Sequence, residues 1–409
     1  VPETNSENIR SIKIHVADLR LGMYVSKLDK DWLDTPFLYQ GFLIEQIDDI
    51  VQLEQHCEHV WIDPAYEPEK TPGKQVLASR RQHQARYINK ISMPKEYQRS
   101  YDAFYQARQT TKSLLDDIVL GDAINTEAAK RTVKTCVDSI LRNPSAMLWM
   151  SKMRETNSYT SEHCLNVCIL AIAFGRYLGK DDGELELLGM CGLLHDVGKM
   201  RVSQEIIDKP DKLTPKEWKS MQAHVVHGRN LLMTSTGIGY TVDVAYSHHE
   251  RIDGKGYPRQ LTGAQLSEQT KMIAIVDAYD AMTANRCYAP SITPSRAIKN
   301  IYQDRGTHFD DRLALQFIKM IGLYPPGTVV ELMNGLMGVV MERHERYQHL
   351  PKVLIARDDE YQPIKKKLVD LSQTQDGSLS RRFLIRNDHP DGYANIYLKD
   401  FKDYLQAIE

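Results

Sequence analysis

Gly192-Leu193-Leu194-His195-Asp196-Val197-Gly198-Lys199 sets an imidazole beside a carboxylate at the end of an apolar, helix-like run, with a lysine one short turn later. Neighbouring His and Asp are hard-to-borderline ligands that suit iron, manganese or nickel better than a thiolate-loving ion. A lone His-Asp pair is common and reads first as an exposed helix end. A second stretch overturns that reading: His248-His249-Glu250-Arg251-Ile252-Asp253-Gly254-Lys255-Gly256-Tyr257-Pro258. Together the two stretches decide the fold class and the chemistry.

Around them, from about Met147 to Leu323, the pattern is helix after helix. Leu165, Cys168, Ile169 and Ile172 share one helical face, and Gly179 ends that helix. The next begins near Asp181 and runs through Leu185, Leu188, Cys191 and Leu194 into the His-Asp pair. Gly189 and Gly192 are costly inside a helix, so close backbone packing is expected there. Thr214-Pro215-Lys216-Glu217 is a strong helix start, with a capping Thr, Pro at the first position and Glu completing a capping box. The helix it opens is expected to carry Trp218, Met221, His224, Val225, Gly228 and Leu231. Ser267 caps a last long helix with Ile273, Val276, Asp277 and Asp280.

His163, His195, Asp196, His224, His248, His249 and Asp277 all fall within or at the end of apolar helical patterns. One such His is usually a hydrogen-bonded core residue. Seven ligands on successive helices call for another explanation, because helical bundles build dinuclear sites from side chains projected inward. The set is too large for one ion and suits two.

At 409 residues the chain has room for two or three domains, and its 42% hydrophobic and 26% charged residues describe an ordinary globular protein. A net charge of -2 offers no global argument for a nucleic-acid polymer or a membrane surface. No apolar run approaches the roughly 20 residues of a membrane helix, and no signal-peptide pattern is present. Cys57, Cys136, Cys164, Cys168, Cys191 and Cys287 form no CxxC pair. Cys164 and Cys168 read as small core residues, and a reducing cytoplasm is the expected location.

Residues 1–70 read as a small α/β sensory or docking module. Strands are expected at Ile12–Val16, Leu21–Val25, Phe37–Phe42 and Val60–Ile62, with a helix carrying Ile47, Ile50, Val51 and Leu53. Residues 71–146 form a linker and helical bridge: Pro-rich punctuation gives way to a polar, basic segment with Arg80, Arg81, Arg86 and Lys90. Two amphipathic helices follow, one with Tyr97, Phe104, Leu114 and Ile118, the other with Val133, Val137, Ile140 and Leu141 before Asn143-Pro144. The pattern leaves open whether they pack on the next domain or on a second copy of the chain. Residues 147–324 are the helical domain. Residues 325–409 are a β-rich appendage, with a hairpin at Asn334-Gly335, further strands at Val353–Ile355 and Phe383–Ile385, and a solvated run at Lys365–Lys367.

Over about Met147 to Leu323 the chain resembles the HD-GYP domain proteins, metal-dependent cyclic-dinucleotide phosphodiesterases within the HD hydrolase superfamily. HDVGK and HHERIDGKGYP carry the resemblance. Ser161-Glu162-His163, Met221 to His224 with Gly228, Ile275 to Ala281 and Gly306 to Asp310 support it. The N-terminal module looks like the uncharacterised domain that often precedes these proteins in bacteria. The resemblance implies a mainly α fold with an HD helical bundle. It places the seven ligands on metal positions, with Asp196 as the bridging carboxylate and two divalent ions, Fe or Mn. Lys199, Tyr257 and Arg286 fall on positions facing substrate phosphate or nucleotide. Some members hold a third metal through a Glu four residues before the first His; here that residue is Tyr159, so two metals are implied. The usual Arg-Pro-Tyr-Lys run is Arg286-Cys287-Tyr288-Ala289 here, which removes one phosphate-binding cation.

The expected activity is hydrolysis of cyclic di-GMP to pGpG and GMP, through a hydroxide bridging two metals roughly 3.5–4 Å apart. Asp196 and Lys199 are the catalytic residues in that reading. Asp253 and Lys255 shape or close the site, Asp280 is a helix-end hydrogen-bond acceptor, and His308 packs or caps. The alternative substrate is 3′,3′-cyclic GMP-AMP. A non-catalytic nucleotide-binding or scaffold protein is the alternative of another class, and the complete ligand set argues against it. An ordinary HD nucleotide phosphohydrolase needs neither the His-His pair nor the GYP loop. A homodimer and a signalling protein docked through the GYP loop complete the expected partners.

Overall fold

The computed structural model describes residues 11–30, 42–44, 47–62, 88–153, 159–284, 291–344, 347 and 349–401. The chain divides into two compact units, residues 1–83 and 84–409.

In the first unit, strands β1 (Ile12–His15), β2 (Tyr24–Leu28), β3 (Phe42–Leu43) and β4 (His59–Ile62) form an antiparallel sheet in the order β1-β4-β2-β3, with helix α1 (Ile47–His56) between β3 and β4. Strand β2 starts later than the sequence suggests, because Gly22 takes a positive φ of 88° in the preceding turn. Strand β1 is an edge strand, which explains why Ile12 is 49% exposed despite its alternating pattern. Most of the strand expected at 37–42 and most of the linker lie outside the described residues.

The second unit opens with α2 (Met93–Leu120), α3 (Thr126–Arg142) and α4 (Pro144–Met150), so a helix spans the boundary drawn at 146/147. Tyr97, Phe104, Leu114, Leu115 and Ile118 on α2, with Val133, Val137 and Ile140 on α3, are all buried. These apolar faces pack on α5 (Tyr159–Tyr177) and α6 (Asp182–Leu194), so the bridge helices are part of the bundle. A polar lock reinforces the seam: Glu96 on α2 takes a bidentate pair of hydrogen bonds from Arg142 at 2.7 and 2.8 Å. On the next face, Arg108 of α2 pairs with buried Glu162 of α5, next to His163.

Helices α5 and α6 pack at backbone contact. A Cβ at Gly192 would lie 2.8 Å from the Cys168 backbone, and at Gly189 2.6 Å from Val133, which is the close packing those glycines require. The chain continues through a 3₁₀ turn (Val197–Arg201), α7 (Gln204–Ile207), α8 (Pro215–Gln222), α9 (His224–Met233), α10 (Tyr240–Ser247), α11 (Glu268–Thr283), α12 (Pro294–Gln303) and α13 (Asp311–Ile321). The single helix expected from Thr214 to Leu231 is therefore two, meeting at Ala223.

Strands β5 (Val329–Leu332), β6 (Met337–Glu342), β7 (Lys352–Arg357), β8 (Pro363–Asp370) and β9 (Ile385–His389) form an antiparallel sheet in the order β8-β7-β6-β5-β9. Val330, Leu332, Val340, Val353, Ile355 and Val369 build its core. The Asn334-Gly335 turn joins β5 to β6 as expected. The last strand begins only at Ile385, because Arg381–Phe383 is a 3₁₀ turn. Lys365–Lys367 lie on edge strand β8, where repeated lysines discourage edge-to-edge pairing. Ser295 at the start of α12 donates to Asp388 of β9 from its backbone N–H (3.0 Å) and hydroxyl (2.7 Å), tying this sheet to the helices.

Candidate metal centre

Three of the histidines stand where helices end. His195 follows α6, His224 follows α8 and His248 follows α10. The last carbonyls of a helix lack intrahelical partners. Each of these rings uses one: Nδ1 of His195 donates to the Gly192 carbonyl at 2.7 Å, His224 to Met221 at 2.6 Å and His248 to Ala245 at 3.1 Å. A carbonyl only accepts, so Nδ1 carries the proton and the Nε2 lone pair is left facing the opposite way. The break at Ala223 lets His224 reach Met221 in this manner. His163, inside α5, is oriented differently, with Nδ1 2.8 Å from the buried Asp280 carboxylate.

All four Nε2 atoms converge on two carboxylates. His163 Nε2 is 3.0 Å from Asp277 Oδ1 and 3.5 Å from Asp196 Oδ2, and His195 Nε2 is 3.3 Å from Asp196 Oδ2. On the other side, His224 and His248 Nε2 lie 3.3 and 3.6 Å from Asp196 Oδ1. Two ligand groups result: His163, His195 and Asp277 in one, and Asp196, His224, His248 and His249 in the other, each with its ligand atoms within 4.8 Å of one another. Asp196 stands between them and turns one oxygen to each. His195 Nε2 and Asp196 Oδ1 are buried and make no hydrogen bond among the described residues. Buried polar atoms normally find partners. Imidazoles with Nε2 inward, outer partners fixing their rings and a carboxylate between them fit two divalent ions.

The charges agree with that fit. Burial works against ionisation of Asp196, but Lys199 and His195 outweigh it and hold the carboxyl well below its usual range. Burial likewise opposes the charge on Asp277, and His163, His195 and His249 overcome it. Burial drives His224 down to about 3 and His249 well below its ordinary value. His163 is the exception: burial lowers it, yet Asp277 and Asp280 raise it overall.

These shifts fix a pH response for the metal-free protein. His224 and His249 bind protons on unfolding below about 6.5 but resist them when folded, so acidification from pH 6.5 destabilises the fold by up to about 1.4 kcal/mol per pH unit for each ring. His163 acts oppositely, with its stabilisation present below about 6.5 and lost as pH rises through its elevated folded pKa. Asp196 and Asp277 add loss only once pH falls below about 3.9. The expected result is a fall in Tm between pH 6.5 and 5 for chelator-treated protein, read by differential scanning calorimetry. A flat profile would show that the two rings are not held neutral.

Two elements set the site's outer edge. The 3₁₀ turn carries Lys199, whose ammonium bonds Asp196 Oδ2 while the side chain keeps 20% exposure. That turn passes α9 at backbone contact: a Cβ on Gly198 would lie 1.9 Å from the His224 carbonyl oxygen and 2.3 Å from the Gly228 amide. The loop after His249 is held by Glu250, a residue the sequence did not single out. Its buried carboxylate accepts from the Arg259 and Leu261 amides at 2.6 and 3.0 Å. Asp253 accepts from Arg251 at 2.9 and 3.0 Å, and its amide donates to Thr307, so it shapes the loop. Lys255 extends the same turn through its amide to Asp253. His308 stacks on Phe309 at 4.1 Å. Tyr257 stacks on His249 with ring centroids 4.8 Å apart, and burial raises its phenol pKa, so it is neutral. Arg286 lies outside the described residues.

Two family models match: a domain of unknown function (DUF3391) over residues 11–129 and an HD domain over residues 143–313. A cyclic di-GMP phosphodiesterase of Pseudomonas aeruginosa is 34% identical over 378 residues, covering 88% of this chain and 89% of its own. The chain belongs to the HD-GYP family. A 3′3′-cGAMP-specific phosphodiesterase of Vibrio cholerae is 32% identical over 167 residues, covering 41% of this chain and 36% of its own. Among solved structures, a HDG"Y"P protein from Bdellovibrio bacteriovorus aligns over 76% of this chain and 99% of its own, with 16% identity and a TM-score of 0.45. An HD-GYP chain with an HD domain binds divalent metal. Among the described residues, no helix is long and apolar enough to cross a membrane.

The sequence named all seven residues of the two ligand groups. It did not name the carbonyls of Gly192, Met221 and Ala245, although each lies three residues before its histidine at a helix end. It read Asp280 as a helix-end acceptor, and the structure identifies the donor as His163.

Proposed function

We propose that this chain is a metal-dependent phosphodiesterase that hydrolyses cyclic di-GMP to pGpG and GMP. The observation that carries the reading is Asp196, fully buried, with one oxygen facing each histidine group beneath the GYP loop. His163, His195 and Asp277 would hold one divalent ion and His224, His248 and His249 a second, with Asp196 offering an oxygen to each group. Iron and manganese suit this oxygen and imidazole set. When bound, such ions lower the pKa of water and place positive charge at the phosphoryl oxygens.

The chain's own groups do the rest. Carbonyls and Asp280 keep each Nε2 aimed inward, so no reorganisation precedes binding. One water adds to phosphorus, the bond from phosphorus to the ribose 3′-oxygen breaks, and that oxygen leaves with a proton. Lys199 offsets the charge that gathers on the phosphoryl oxygens. Tyr257, a neutral phenol against His249, donates to a phosphate oxygen. A cytoplasmic setting fits the buried free thiols of Cys57, Cys136, Cys164, Cys168 and Cys191.

The direct test is hydrolysis of cyclic di-GMP and 3′,3′-cyclic GMP-AMP side by side, by protein reconstituted with iron or manganese. Faster cleavage of the first is expected. Preference for the second would assign the substrate differently, and cleavage of neither by metal-loaded protein would sink the enzymatic reading. Lys199→Ala is expected to lower kcat roughly 100-fold with metal content unchanged, the loss typical of one transition-state charge donor. Metal loss in parallel would recast Lys199 as support for Asp196.

A further inference from the structure

Helix α8 buries none of its residues. It nevertheless carries a tryptophan, Trp218, 48% exposed. Half-exposed indole gains little from the hydrophobic effect, so core packing does not account for it. Its neighbours do. Trp218 meets Tyr257 edge-on with ring centroids 6.3 Å apart, and Tyr257 in turn stacks on the candidate ligand His249. An aromatic row thus leads from the metal centre to solvent in two ring-to-ring steps.

The helix is fixed in place although it has no core of its own. Thr214 and Glu217 close a capping box, and Lys209 clamps the Glu217 carboxylate at 2.7 and 2.9 Å. Lys209, with the Thr214 N–H and hydroxyl, holds that carboxyl down to about 2. At its other end, the Met221 carbonyl orients His224. The same short helix therefore positions a candidate ligand and presents an indole beside the GYP tyrosine.

We propose that Trp218 is a base-stacking residue of the substrate site, taking one purine of the cyclic dinucleotide on its indole face. The inference rests on the phosphodiesterase reading and adds to it the residue that grips the nucleobase. A nucleobase stands one ribose away from its phosphate, so a phosphate over the metals leaves a base to find a platform at the site's rim. An open indole suits any purine, because every base has a π-face and stacking needs no matched hydrogen bonds. A preorganised platform also spares the ordering cost of binding.

The test compares wild type, Trp218→Ala and Trp218→Phe, all metal-reconstituted, in steady-state hydrolysis of cyclic di-GMP. Base-aromatic stacking predicts that Trp218→Ala raises KM roughly 5-fold or more with kcat within about 2-fold, while Trp218→Phe stays near wild type. Titration with cyclic di-GMP should quench tryptophan emission in wild type, and that quenching should disappear in Trp218→Phe. An unchanged KM in Trp218→Ala overturns the proposal. So does a fall in kcat at constant KM in Trp218→Ala, which would make the indole a prop for the GYP loop. If wild type itself turns over no cyclic dinucleotide, the functional reading fails first and the stacking role falls with it.

Discussion

Asp196→Ala lowers turnover of cyclic di-GMP at least about 1000-fold, equivalent to roughly 4 kcal/mol of barrier, and strips the protein of metal. The two oxygens of this carboxylate divide between the histidine groups: Oδ2 looks to His163 and His195, Oδ1 to His224 and His248. Removing it would take a ligand from each ion at once and delete the carboxylate that the Lys199 ammonium bonds. Elemental analysis and kcat on the same preparation check the result. Asp196→Asn serves as the companion, since it keeps the side chain's volume while removing the charge and turning one acceptor oxygen into an N–H donor. Two ions retained with turnover within ten-fold of wild type would exclude a shared carboxylate.

Gly198→Ala has the second large effect, and it acts through packing. The added carbon meets the His224 carbonyl oxygen at 1.9 Å and the Gly228 amide at 2.3 Å, both backbone atoms that no rotamer change can move. The 3₁₀ turn and α9 must separate. Overpacking of this kind costs roughly 3 kcal/mol, which in a unit of this size lowers Tm by about 4 °C. Separation also carries His224 away from Asp196, so metal affinity falls with stability. Calorimetry and metal titration of the variant test both. A variant with wild-type Tm would show that the turn can be displaced without cost.

These two positions mark the line between pattern and packing. His195 and Asp196 stand out by type and by their place at the end of an apolar run. Gly198 lies in the same stretch, but only the backbone crossing at His224 and Gly228 shows what it does. The same holds for the helix read as continuous from Thr214 to Leu231. Its apolar spacing persists through Ala223, so periodicity carries no sign of the break that lets His224 turn to the Met221 carbonyl. The bridge helices are similar: the apolar faces of Tyr97 and Val133 say that something covers them, while α5 and α6 as their cover emerge only from the fold.

The sequence by itself determined the helical class, the candidate ligands by residue type and the resemblance that names the chemistry. These are local properties: helical period, the capping box at Thr214, the cap at Ser267, and short motifs whose residues are neighbours in the chain. Only the tertiary structure decided the grouping of the seven candidate ligands into two sets, the orientation of their imidazoles and the aromatic row that ends at Trp218. Those depend on contacts between residues as far apart as His163 and Asp280, and the free energy that selects such pairings comes from packing whole helices together. A one-dimensional pattern records which faces must be buried, and the three-dimensional fold records against what.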